Sequence, residues 1–243
     1  MNNLELILSD IQQQTENLNW KDKLIYIANN FQKIIFTTSL SNEDQVIIDL
    51  VYNSSNVTII TLDTGRLFPE TYDLWSKTEK KYNIKIQSIF PDSEHIKSYV
   101  NQYGINGFYD SIEARKKCCH IRKVLPLNNI VNNFSIWITG QRKLHSLNRE
   151  NLQEFVVNDN IIKYNPLYNL TTQEIEEFIK ENNILYNELY NKNYKSIGCQ
   201  PCTRAIKNNE DERAGRWYWE NSENNECGLH IKNGRILRVK KND

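Results

Sequence analysis

Lys33-Ile-Ile-Phe-Thr-Thr-Ser-Leu-Ser-Asn-Glu-Asp44 is the stretch on which the fold is decided. Its first six residues, Lys33–Thr38, form an apolar run of strand length. Beyond the hydroxyl-rich loop Ser39–Asp44, Val46, Ile47, Leu50 and Val51 recur at helical spacing and predict a helix over Glu43–Asn53. Val57-Thr-Ile-Ile-Thr-Leu62 is a second β-branched run; it ends in Asp63-Thr-Gly-Arg66 and leads to a Pro-initiated helix, Pro69–Tyr82. Ile84–Phe90 and Phe134-Ser-Ile-Trp-Ile-Thr139, ending at Gly140, read as a third and a fourth strand. Upstream, Leu4–Asn17 and Lys21–Phe31 read as two helices parted by Asn19-Trp20. Strands alternating with helices predict an α/β fold with a parallel sheet and right-handed crossovers. In such sheets a ligand lies beyond the carboxyl ends of the strands, which singles out the loops Ser39–Asp44, Asp63–Arg66 and Gly140–Arg142. There is no internal repeat and no linker.

Across its 243 residues the chain is 39% hydrophobic and 25% charged, the balance of a soluble globular protein. No apolar run approaches membrane-spanning length, and MNNLELILSD lacks the basic start of a signal peptide, so a reducing cytoplasm is expected. A formal net charge of zero speaks against a bulk nucleic-acid or membrane binder. Basic residues nevertheless gather beside the cysteines. Arg115, Lys116, Lys117, Arg122 and Lys123 flank one pair, and Arg204, Lys207, Arg213 and Arg216 follow another. A charge run is usually a solvated helix face. That both runs adjoin both pairs points instead to an anion site.

Five cysteines carry the chemistry: adjacent Cys118 and Cys119, the C-x-x-C pair Cys199 and Cys202, and solitary Cys227. In a reducing compartment such a pattern suggests metal binding or catalysis rather than disulfides. Neighbouring thiols crowd the tetrahedron of a single zinc ion, whereas an iron–sulfur cluster offers several irons, so a cluster outranks zinc. A Cys199–Cys202 redox dithiol is a weaker third reading. Cys227, in the polar run Glu226-Cys-Gly-Leu-His230, is the candidate nucleophile; Arg213 or Arg216 would favour its thiolate and Glu226 would oppose it. His230 could pair with it or simply be a surface residue. The loop Thr38–Asp44 offers a phosphate cradle at a helix N-terminus, although Ser41 could equally be a helix cap. Asp63-Thr-Gly-Arg66 could hold a ribose or base edge, or be an ordinary glycine turn. The glycines of a Walker loop or a dinucleotide fingerprint are missing.

Eight ordered motifs then resemble the assimilatory adenylyl-sulfate reductases of the phosphoadenylyl-sulfate reductase superfamily. They are Thr38-Ser-Leu-Ser-Asn-Glu-Asp-Gln-Val46, Leu62-Asp-Thr-Gly-Arg-Leu-Phe-Pro-Glu-Thr-Tyr72, Cys118-Cys-His-Ile-Arg-Lys-Val-Leu-Pro-Leu127 and Trp137-Ile-Thr-Gly-Gln-Arg142. The others are Asn165-Pro-Leu167, Ser196-Ile-Gly-Cys-Gln-Pro-Cys-Thr-Arg204, Glu210-Asp-Glu-Arg-Ala-Gly-Arg-Trp-Tyr-Trp-Glu220 and Glu226-Cys-Gly-Leu-His230. The resemblance implies an adenine-nucleotide α-hydrolase-like (Rossmann-like) fold with a mobile C-terminal tail. It divides the chain into a nucleotide-binding domain over 1–209 and a segment over 210–243 bearing Cys227. It also implies a [4Fe–4S] cluster on Cys118, Cys119, Cys199 and Cys202, and adenosine 5′-phosphosulfate as substrate. The alternative is a reductase of the 3′-phosphorylated nucleotide. Cys227 would attack the sulfonate sulfur, leaving an S-sulfocysteine that a thiol of thioredoxin or glutaredoxin releases as sulfite. Lys123, Arg149, Arg213 and Arg216 would bind the phosphosulfate, with Ser39, Asp63 and Gly140 in the nucleotide pocket. No thioredoxin-like domain is appended, so the reductant is expected to be a separate protein; a homo-oligomer is left open. An ATP-dependent thiolation enzyme of the same fold class lacks support, because its Ser-Gly-Gly-x-Asp-Ser loop is absent, and a non-enzymatic zinc or redox-sensing module would have no use for Cys227. Three positions depart from the family: Ser41 stands where glycine is usual, Tyr218 is the middle of a common Trp-Trp-Trp run, and His145 replaces a frequent glutamine. The basic segment Ile231–Lys240 has the makings of a hairpin around Asn233-Gly234.

Overall fold

Strand β1 (Ile34–Thr38) is apolar on both faces: Ile34 and Phe36 point one way, Ile35 the other, and none has any exposure. Only a central strand covered on both sides satisfies that pattern. The computed structural model describes residues 3–145, 149–158, 160–220, 230–232 and 235–237. In it β1 pairs in parallel with β2 (Val57–Leu62) on one side and β4 (Ile136–Ile138) on the other, so that Ile34 faces both Val57 and Ile136. With β3 (Gln87–Ile89), β5 (Phe155–Asn158) and β6 (Ile161–Tyr164) the sheet runs in the order β3-β2-β1-β4-β6-β5. All pairs are parallel except that β5 is antiparallel to β6 at the edge. Strand order reverses between β1 and β4, and the crevice at such a switch point is where doubly wound sheets bind ligands.

Helices cover both faces. Helices α1 (Asn3–Thr15), α2 (Trp20–Asn30), α3 (Asn42–Val51) and α8 (Thr172–Glu181) pack against Ile34, Phe36, Ile136, Ile138 and Ile162. On the opposite face, Leu127 and Val131 of α7 (Leu125–Val131) meet Ile35, Ile60 and Trp137. Helix α4 (Pro69–Tyr82) follows β2, and α5 (Ser93–Tyr103) and α6 (Ile112–Cys119) follow β3. A third apolar cluster gathers Tyr99 of α5, Phe108, Ile121 and Trp217 around four cysteines.

All four expected strands are present, and the expected helices differ by a few residues at their ends. The third strand is shorter than Ile84–Phe90, because Asn83 ends α4 in the left-handed region and the Ile84 N–H turns back to the Glu79 carbonyl. Strands β5 and β6 and helices α5 to α8 are additions to the sequence reading. The expected hairpin is formed by β7 (His230–Lys232) and β8 (Arg235–Leu237), with Ile231 opposite Ile236; Asn233 and Gly234 lie outside the described residues. Among the described residues no helix is long and apolar enough to cross a membrane. Phe36→Ala, in the strand on which the whole sheet is registered, should cost about 3–5 kcal/mol in urea unfolding; a loss below about 1 kcal/mol would show that β1 is not the packing centre.

Candidate functional site

The carboxyl ends of β1, β2 and β4 open onto a cleft of about 250 Å³. Its first wall is the loop from β1 to α3. Leu40 takes a left-handed backbone (φ +61°), and Ser41, in extended backbone, caps α3 by accepting the Asp44 N–H at 3.4 Å. Serine in place of the family's glycine therefore meets no conformational demand at position 41. Asp44 Oδ2 accepts both the Ser39 N–H (2.6 Å) and the Ser39 Oγ–H (2.8 Å). A Cβ added to Gly140 would overlap Asp44 Oδ1, so glycine is what lets the β4 loop close on this carboxylate. Next to it, Glu43 holds Arg142 through Nε (2.8 Å) and Nη2 (2.7 Å), while Arg142 Nη1 donates to the Leu170 carbonyl (3.1 Å). Burial pushes the Asp44 carboxyl up to about 6 against the Ser39 hydrogen bonds that hold it down.

Of the seven residues expected at the substrate, six line this cleft: Ser39, Lys123, Gly140, Arg149, Arg213 and Arg216. Asp63 does not. Its Oδ1 accepts the Gly65 N–H and the Tyr72 O–H, each at 2.7 Å, so it closes the turn after β2 and leaves Thr64 on the wall. Arg213 Nη1 donates to Ser196 Oγ (3.3 Å). Arg216 lies on Gly198, whose added Cβ would meet the guanidinium, and its buried Nε has no partner among the described residues.

The four paired cysteines come together beside the cleft. In α6 the buried positions are Ala114, Arg115, Cys118 and Cys119, whereas Lys116 and Lys117 face solvent, the helical spacing that brings two adjacent thiols inside. A π-helical turn, His120–Val124, continues the helix and carries Arg122 and Lys123. Cys199 precedes the short 3₁₀ turn Gln200–Cys202, and Cys202 ends it. All four thiols are 8–9% exposed and share one cavity with Arg66, Arg122 and Lys123. Arg122 also donates to the Thr64 carbonyl at 2.5 Å. Burial pushes Cys202 up to about 12, with Cys199 adding to the rise and Lys123 and Arg216 opposing it. Burial likewise raises Cys118, against the pull of Arg122. Among the described residues no three ligand-type side chains converge as one metal ion requires. Around the thiols, Tyr99 Oη, Trp217 Nε1 and Trp219 Nε1 are buried without a partner among the described residues.

Cys199 and Lys123 line both cavities, and Thr64 Oγ1 lies 3.2 Å from Cys199 Sγ, so the cysteine site and the cleft share a wall. Cys227 lies outside the described residues, as do the side chains of His145 and His230. Tyr218 is exposed between buried Trp217 and half-buried Trp219, which accounts for a lighter aromatic at the middle position. The Asp44 clip and the Glu43–Arg142 pair escaped the sequence reading; the latter joins residues 99 positions apart, and no local spacing signals it.

The phosphoadenosine phosphosulfate reductase domain matches residues 33–205 of this chain. The adenosine 5′-phosphosulfate reductase of Agrobacterium fabrum is 45% identical over 212 residues, 86% of this chain and 82% of its own length. That of Neisseria meningitidis is 42% identical over 224 residues, covering 90% and 91%. In three dimensions the chain is similar to the phosphoadenylyl-sulfate reductase of Candida auris, solved as a phosphate complex: TM-score 0.66, 26% identity, 82% of this chain and 95% of that one. This chain belongs to the phosphoadenosine phosphosulfate reductase family of enzymes.

Because the folded Asp44 carboxyl titrates near 6 rather than near its ordinary 3.8, the native state holds an extra proton between those values. Stability then falls as pH rises through that window, by roughly 3 kcal/mol in total. Asp44→Asn should remove most of this fall in urea unfolding compared at pH 4 and pH 7. Superimposable pH profiles for the two proteins would show that Asp44 ionises normally.

Proposed function

We propose that this chain reduces adenosine 5′-phosphosulfate to sulfite and AMP in assimilatory sulfate reduction toward cysteine, with electrons from a thioredoxin or glutaredoxin. One observation carries the reading: a cleft lined by Lys123, Arg149, Arg213 and Arg216, at the switch point of the sheet, shares its wall with four buried thiols. The relatives named adenosine 5′-phosphosulfate reductase support it.

The four thiols suit a [4Fe–4S] cluster held by Cys118, Cys119, Cys199 and Cys202. They are buried in one cavity with Arg66, Arg122 and Lys123, and side-chain donors unpartnered among the described residues pack in the same cluster. Burial raises Cys118 and Cys202, so these two would release protons on binding metal. When bound, such a group supplies a fixed, compact charge next to Lys123 at the wall of the cleft.

The reaction rests on the chain's own residues. The four cations offset the charge of the phosphosulfate, which would otherwise repel an attacking anion. The Asp44-clipped loop carrying Ser39, with Gly140 opposite, holds the nucleotide. The Cys227 thiolate attacks the sulfonate sulfur; the sulfur–oxygen bond breaks, and its electron pair leaves with AMP. The product is S-sulfocysteine on Cys227. A reductant thiolate attacks the Cys227 sulfur, sulfite departs, and the reductant's second thiol resolves the mixed disulfide, regenerating the Cys227 thiol. A reducing cytoplasm suits both the free thiols and this reductant.

Cys227→Ser should retain visible cluster absorbance, with iron and sulfide in equal amounts after anaerobic purification, and form no sulfite. Appreciable turnover by that variant, or full activity of iron-free wild-type protein, would sink the reading. Lys123→Ala should raise KM for adenosine 5′-phosphosulfate about tenfold or more while leaving the urea midpoint near wild type; unchanged kinetics would remove Lys123 from the site. Competition between the 5′-phosphosulfate and its 3′-phosphorylated form decides the substrate.

A further inference from the structure

Trp217 is a large buried residue held at φ +44°, a left-handed backbone that costs free energy unless its surroundings impose it. Its N–H bonds to the Cys202 carbonyl at 3.1 Å, and Glu220 N–H bonds back to the Trp217 carbonyl at 2.8 Å. Two guanidinium groups attend its ring: Arg115 from the cysteine-bearing helix, with Cζ 4.6 Å from the ring centroid, and Arg216 from the cleft, at 4.7 Å. A ring's negative face attracts each cation, but two full charges gathered on one buried indole repel each other, and low polarity strengthens that repulsion. Arg115 is fully buried and holds Glu220 in a bidentate pair, Nε to Oε1 at 2.7 Å and Nη2 to Oε2. The Glu220 carboxylate thus offsets the Arg115 charge beside the ring that seats Arg216.

We infer that Glu220 is a positioning residue for substrate binding: by neutralising Arg115 it lets Arg216 rest on Trp217 with its guanidinium in the cleft. Glu220 does not line the cleft, and Arg115 belongs to the cavity of the thiols, so the effect passes through the shared indole. The inference rests on the reading of the cleft as the adenosine 5′-phosphosulfate site. It makes a demand that a purely structural role for the ion pair would not. Removing the carboxylate alone should harm binding, and removing the Arg115 charge as well should restore it.

The test is calorimetric titration of adenosine 5′-phosphosulfate into cysteine-site-loaded protein in the Cys227→Ser background, where no transfer occurs. Glu220→Gln should raise Kd about 3- to 30-fold, and Arg115→Met/Glu220→Gln should recover most of that loss. An unchanged Kd in Glu220→Gln, or a double variant as weak as the single one, overturns the inference while leaving the reading of the cleft intact. Absence of binding by the parent protein overturns both. If Glu220→Gln yields no folded protein, the double variant must bind like the parent and Trp217→Leu must bind weakly; any other result refutes the charge-offset mechanism.

Discussion

The Asp44 carboxylate sits where the loops after β1 and β4 meet, at the switch point of the sheet. Those loops leave from β1 and β4, hydrogen-bonded neighbours whose chains then run to opposite sides of the sheet. Asp44 orders its own loop by accepting two bonds from Ser39, and it leaves room only for glycine at position 140 of the other. The raised pKa of Asp44 reflects its burial, in which the carboxylate gives up water for two donors on one oxygen. Glu43 and Arg142 repeat the arrangement one residue away. A buried ion pair adds little net stability, because desolvation nearly offsets attraction. Its consequence here is positional, with Arg142 fixed to α3 and to the Leu170 carbonyl at once.

The same logic governs the cysteines. Four thiols are buried together, and burial pushes Cys118 and Cys202 away from ionisation. Arg66, Arg122 and Lys123 stand on the walls of the cysteine cavity, and Tyr99, Trp217 and Trp219 pack in the same cluster with side-chain donors unpartnered among the described residues. Nearby cations favour thiolate over thiol, and burial opposes them.

The strands that form the crevice were legible because they are continuous apolar runs bounded by turn residues, and Lys33–Thr38 is the clearest. The Cys118–Cys119 and Cys199–Cys202 pairs were legible as chemistry because few functions use adjacent thiols. Strand β6 was not, since Lys163 breaks its apolar pattern; in the fold that ammonium lies over the Trp137 ring and bonds Gln141 Oε1 at 2.6 Å. Asp63 shows what the sequence could not give: an acid after a β-strand has the right position for a ribose, but its Oδ1 is taken by Gly65 and Tyr72, and it is not among the residues lining the cleft. Long-range pairs such as Glu43–Arg142 and Arg115–Glu220 have no period to betray them, because their partners meet only through the tertiary fold.

How Lys123 reaches both cavities follows from helix geometry. At 3.6 residues per turn, the fifth residue after Cys118 would point about 140° away from it. The chain does not continue as an α-helix. The π-helical turn His120–Val124, closed by the Leu125 N–H on the His120 carbonyl, widens the coil so that five residues come nearer to one full circuit. Lys123 is thereby brought back toward the face that carries Cys118 and Cys119, and Arg122 can stay buried beside it. A single extra residue in one helical turn thus lets a cation beside the thiols also stand in the wall of the cleft.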